Sequence, residues 1–189
     1  MSEAPLRPPA PPAWNRVKWT EAGQIAAQLD DVAIPPEDAT AAPRDWWAAQ
    51  VAAGELGLAI RFLAMALPRL EAVAWAAQAV ERAEVRGDAD RAAMAAVSRW
   101  IAAPDDALRR AAWAHCEPID GPIRFLGAAL FFSGGSIAPA DLEAVHPAPT
   151  LCGTAAAGAV LAAAHRSTDP HAALAEALAA GDRIAAGAE

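Results

Sequence analysis

Along most of the chain the apolar positions recur every three or four residues, the period of an α-helix with one face turned to a core. The pattern is strongest at Leu56, Ile60, Leu63 and Leu67, which share a face over residues 56–67. It returns at Leu70, Val73, Ala77 and Val80, at Met94, Val97, Trp100 and Ile101, and at Leu108, Ala112 and Cys116. No alternating run of β-branched or aromatic residues competes with it, so no strand is predicted.

The residues between these runs set the element boundaries. Thr20 is placed to cap a short helix to Leu29, and residues 30–43 read as a loop broken by Pro35 and Pro36. A helix starts near Pro43–Arg44 and carries Trp46 and Trp47; Gly54 and Gly57 interrupt it. Pro68 fits the first position of the next helix, which Gly87 ends. Asp88 or Asp90 caps a helix over 91–103, Pro104 stops it, and Asp105 caps one over 106–117. Gly121–Pro122 restart a helix to Phe132, closed by the turn Ser133-Gly134-Gly135-Ser136. Residues 137–149 form a Pro-containing loop, with room for one helical turn over 140–145. Thr150 is placed to cap a helix to His165 whose Gly153, Ala157 and Gly158 let another helix approach closely. Asp169 followed by Pro170 opens the last helix, to about Gly187.

The predicted architecture is all-α: a compact bundle of about eight short helices in antiparallel pairs. Residues 20–189 form one helical domain. Residues 1–19 are a Pro- and Trp-containing tail, Pro-rich and extended or disordered in its first 13 residues. One internal echo stands out. Residues 60–67 (IRFLAMAL) match residues 123–130 (IRFLGAAL) at six of eight positions, as two helices with one packing face would.

Composition narrows the function classes. A chain of 189 residues, 55% hydrophobic, can build a core without staples. Much of that content is alanine, so the seven tryptophans and four phenylalanines must anchor the packing. The formal net charge of −8 argues against nucleic acid and anionic lipid as partners. Lys18 is the one lysine among 15 basic residues, which points to a GC-rich bacterial genome. Cys116 and Cys152 stand far apart and read as reduced, buried thiols. The apolar run Leu151–Ala164 is too short to span a bilayer, and the first residues carry no signal peptide. A cytoplasmic protein without membrane insertion is expected.

Candidate chemistry is sparse. His115 and Cys116 are adjacent, but neighbours on a helix point about 100° apart and do not face each other. His115, His146, His165 and His171 lack metal-ligand spacing, and no nucleotide-binding or nucleophile-elbow motif occurs. Neither a metal, a cofactor nor a catalytic residue is expected. Arg109–Arg110 beside Asp105 and Asp106 reads as a solvated face with local ion pairs. Trp75, Trp100 and Trp113 fall at or near core faces. Trp14, Trp19, Trp46 and Trp47 form either an exposed interface or the packing that folds the tail onto the bundle. At the turn, Ser133, Gly134, Gly135 and Ser136 either cap a helix or offer backbone N–H groups to a ligand. In the second case Arg124 and His146 would complete the site.

The segments Leu67–Ala76, Trp100–Pro104, Arg109–Ala112 and above all Phe132-Ser133-Gly134-Gly135-Ser136-Ile137-Ala138-Pro139 resemble, in that order, a proteobacterial family: domain of unknown function 6931. The resemblance covers about residues 20–187, with Leu70 and Ala74 departing from the charged and bulkier residues expected there. The family brings no assigned activity. What it implies is an accessory or adaptor role, linked to type VI secretion by the genes found near its members. Two expectations follow. One is a non-catalytic helical adaptor acting through another protein. The other is a small-molecule-binding protein or enzyme with its site at the Ser133–Ser136 turn.

Overall fold

The predicted helical period is realised across the described residues. The computed structural model describes residues 13–83, 87–139 and 141–188, and across them it holds ten α-helices and no strand. They are α1 (Ala22–Ala26), α2 (Pro36–Ala39), α3 (Pro43–Ala52), α4 (Leu56–Ala66), α5 (Arg69–Arg82), α6 (Gly87–Ala102), α7 (Asp106–Cys116), α8 (Pro122–Phe131), α9 (Leu151–His165) and α10 (Pro170–Ala186). Asp105 and Asp169 act as the predicted caps: their carboxylates accept from the Leu108 and Ala172 amides at 2.8 and 3.0 Å. Proline opens α3, α8 and α10, where its missing N–H costs nothing. Gly187 ends α10 in the left-handed conformation at φ 78°.

Several boundaries differ from expectation. A four-residue helix, α2, occupies part of the predicted 30–43 loop, because Pro36 supplies a preset φ and Glu37 and Asp38 favour a helix N-terminus. Glu21, not Thr20, precedes α1, and the Gln24 side-chain oxygen accepts from both their amides. Pro68 stands one residue ahead of α5. Thr150 is already helical in φ and ψ and cannot cap through its side chain; its carbonyl instead accepts from the Thr154 hydroxyl. Residues 141–149 contain no helical turn. α5 ends at Arg82, short of the predicted Gly87, which has φ 82° and stands at the start of α6; residues 84–86 lie outside the described residues.

Helix α9 is apolar and small on all sides, the pattern of a helix surrounded by others. α4, α5, α8 and α10 all pack on it. Close approach is literal: a methyl group at Gly153 would stand 3.0 Å from the Ala64 carbonyl oxygen and 2.7 Å from the Met65 sulfur. α10 repeats the device, since a methyl at Gly181 would lie 2.4 Å from Leu63 and 2.9 Å from the Trp75 indole nitrogen. That indole is buried and donates to the Ala177 carbonyl at 2.8 Å.

The sequence echo becomes two helices, α4 and α8, both packed on α9. Ile60, Leu63 and Leu67 are buried, as are Ile123, Leu126 and Leu130. The phenylalanines part company: Phe62 is fully buried with its ring 4.6 Å from Trp46, whereas Phe125 is 47% exposed and lies over Gly158.

Glycine positions give a paired test. Gly181→Ala gains helix propensity but meets Leu63 and Trp75, for an expected net loss of about 1–2 kcal/mol. Gly57→Ala in α4 meets nothing within 4 Å and should gain about 0.5 kcal/mol. Urea unfolding of the two variants checks both signs.

Candidate functional site

The four tryptophans of the N-terminal third do not form an exposed cluster. Trp14, Trp46 and Trp47 are buried and Trp19 is half-buried. Trp14 packs on Trp47 at 5.3 Å between rings, and its Nε1 donates to Asp182 at 2.7 Å. Arg44 grips the same carboxylate through two nitrogens, at 2.9 and 2.7 Å. The Arg16 amide donates to the Ala185 carbonyl at 2.9 Å. Residues 14–19, read as tail, therefore lie against α10 and α4, because indole rings gain more by burial than a tail gains by freedom. The Pro-rich stretch 1–12 lies outside the described residues. Trp47 Nε1 is buried without a hydrogen-bond partner.

The strongest local chemistry is at the Ser133–Ser136 turn, and it begins with α7. Arg109, read from sequence as solvated, is 3% exposed. It sits three residues after Asp106, so one helix face carries both, and the rest of that face is covered by α8 and the turn. Its guanidinium donates to Asp106 (3.0 and 2.6 Å), to the Phe131 carbonyl (2.5 Å) and to the Ser136 carbonyl (2.8 Å). It also lies over the Phe131 ring at 4.7 Å. Arg110, half-buried, adds bonds to Ser136 O at 2.7 Å and to Asp106 at 2.9 Å. Hydrogen bonds from Arg109 and then Arg110 hold the Asp106 carboxyl below its usual range. Arg69 donates to the Ser133 carbonyl at 3.0 Å.

The turn is thus bonded inward. Ser133 Oγ donates to the Leu130 carbonyl at 2.7 Å, as a helix end requires. Gly135 has φ 66°, and a methyl there would stand 2.8 Å from Asp106 and 2.9 Å from Arg109. Ser136 Oγ accepts from the Ala138 and Val145 amides, both at 3.1 Å, and the Ile137 amide donates to the Val145 carbonyl at 2.8 Å. These bonds close a loop that presents Leu142, 62% exposed, and, at its closure, Val145, 52% exposed. His146 is exposed beside Val145. Ser133, Gly134, Gly135, Ser136 and His146 therefore belong to one loop, and the hydroxyls and carbonyls of Ser133 and Ser136 are used in holding it. Arg124 is not with them: it is exposed at the far end of α8, 3.9 Å from Asp120. Sequence reasoning missed Arg109, Leu142 and Val145. The Asp106–Arg109 spacing was a signal for the ion pair, not for its burial.

Burial pushes both cysteine thiols up to about 12, so at neutral pH they stay protonated and are poor nucleophiles. Cys116 is buried while His115 is exposed, so the pair does not act together. Among the described residues no group of three or more His, Cys, Asp or Glu is placed to hold a metal ion, and no helix is long and apolar enough to cross a membrane.

The fold and this loop define a helical-bundle protein whose most built feature is an arginine-anchored loop. The chain belongs to a family of unknown function, DUF6931, whose profile matches residues 46–185. That span runs from Trp46 to Ala185 and includes Arg109 and the whole loop. No curated protein and no solved structure matches the chain.

Arg109→Met should destabilise the protein by about 2–4 kcal/mol, because the Phe131 and Ser136 carbonyls lose a charged donor. Arg110→Met, on the more exposed neighbour, should cost under about 1 kcal/mol. Denaturant midpoints of the two variants separate the roles.

Proposed function

We propose that this protein is a non-catalytic cytoplasmic adaptor that holds another protein through the loop of residues 136–146. One observation carries the reading: a buried arginine fixes the base of a loop that exposes two aliphatic side chains. Burying a guanidinium is expensive unless its donors are filled. Here they are filled by Asp106, by the Phe131 carbonyl at the end of α8 and by the Ser136 carbonyl at the loop's base, so the charge ties the loop to α7 and α8. Exposed Leu142 and Val145 then form a contact that loses little freedom when a partner covers them. Asp141 and Glu143 flank Leu142, so the matching surface is an apolar pocket with a basic rim. The setting we propose, bacterial type VI secretion, is supported by the family resemblance alone.

The paired variant Leu142→Asp with Val145→Asp tests this reading. Both side chains are exposed, so the unfolding midpoint should be unchanged. Affinity purification from the native host should recover a reproducible partner with the natural chain and lose it with the variant. Equal recovery by both would remove the loop as the interface.

A further inference from the structure

The crevice between α4 and α9 is a groove made of cavities that run into one another. The first, of about 280 Å³, lies at the C-terminal end of α4 beside Trp19 and Arg69. The second, of about 400 Å³, shares Gln28, Met65 and Thr150 with it. The third, of about 740 Å³, shares Asp31, Arg61 and Leu161 with the second. On α9 the lining extends from Cys152 to His165, so at 1.5 Å per residue the groove is about 20 Å long.

Its charge is graded. The chain carries −8, yet the first cavity is lined by Lys18 and Arg69 and by no carboxylate. Both cations are exposed; Lys18 Nζ stands 4.5 Å over the Trp19 ring. Nearby Arg16 is matched by Glu71 at 3.2 Å. Where the second cavity meets the third, Arg61 is matched by Asp31 at 2.6 Å, while Asp30 in the second cavity and Glu55 in the third add negative charge. Between the ends, half-buried Met65 and Leu161 give an apolar floor, and Gln28, Thr150 and Thr154 place amide and hydroxyl groups along the walls.

We propose that this groove binds an extended, acidic segment of another protein. Its Asp or Glu side chains sit at the Lys18–Arg69 end and an apolar side chain covers Met65 and Leu161. An extended chain needs partners for its backbone N–H and C=O groups, which the Gln28 amide, the Thr150 hydroxyl and the Thr154 oxygen as an acceptor provide, whereas a helix satisfies its own. At about 3.3 Å per residue the groove takes about six residues. The inference concerns a surface other than the Leu142–Val145 loop and does not rest on it.

A library of random twelve-residue peptides displayed on phage and panned on the full chain tests it, followed by fluorescence anisotropy of a recovered peptide. Recovered peptides should carry Asp or Glu clustered toward one end. Lys18→Glu should weaken binding at least tenfold and Lys18→Gln by less. Thr154→Trp, which fills the groove from an exposed position on α9, should abolish it. The Leu142→Asp/Val145→Asp variant should bind the peptide unchanged, so the two proposals fail separately. Peptides without acidic enrichment, peptides indifferent to Lys18→Glu or Thr154→Trp, or no recovered peptide would each overturn the proposal.

Discussion

The closeness of α9 to its neighbours is the constraint on which the rest depends. Alanine and glycine bury little area each, so such a helix is stabilised by near backbone contact and not by large side chains. Gly153 lets the Ala64 carbonyl approach, and Gly158 lies under the Phe125 ring. The bulk needed to fill the remaining space comes from the surrounding helices: Phe62 and Leu63 in α4, Trp75 in α5, Leu126 and Leu130 in α8 and Leu178 in α10. The arrangement resists change in both directions. A larger residue on α9 clashes with backbone, and a smaller one on its neighbours leaves a void.

Both candidate surfaces are consequences of that axis. The loop that displays Leu142 and Val145 is the connection from α8 to α9, and its far end passes directly into α9 at Thr150–Leu151. The groove is the crevice that α9 leaves against α4. Arg69 belongs to both: it lines the groove and donates to the Ser133 carbonyl at the base of the loop. The proposed adaptor role would need two faces held in fixed relation, and both of these adjoin α9 and share Arg69. The buried Arg109 adds the local rigidity that a connection of this length, rich in proline and glycine, would otherwise lack.

Much of the fold was legible because it follows local rules. The periods of Leu56–Leu67 and Val73–Val80, the caps at Asp105 and Asp169, and the prolines opening α3, α8 and α10 each depend on a few neighbouring residues; Leu70, read as part of the α5 core face, is exposed because it stands in the first turn, ahead of that buried face. Gly153 and Gly158 were read as points of close approach, and they are. The Ser133–Ser136 turn follows the end of α8, with the Ser133 hydroxyl bonded back to the Leu130 carbonyl. What stayed hidden depends on residues far apart in sequence. Trp14 is anchored by Asp182, 168 positions away, so nothing near it announces burial. Arg109 looks like any residue three after an aspartate until α8 and the turn cover it. The groove draws on α4, α9 and residues 28–31, and no pattern within one helix reveals it.

Hydrogen exchange of the intact chain, followed by mass spectrometry, tests the central claim that α9 is the axis. Amides of Ala155–Ala164 should exchange last, at the rate of global unfolding, with the Ile137, Ala138 and Val145 amides protected ahead of the tip of their loop at Leu142. Exchange of α9 before α10, or a Val145 amide as fast as the exposed tip, would contradict it.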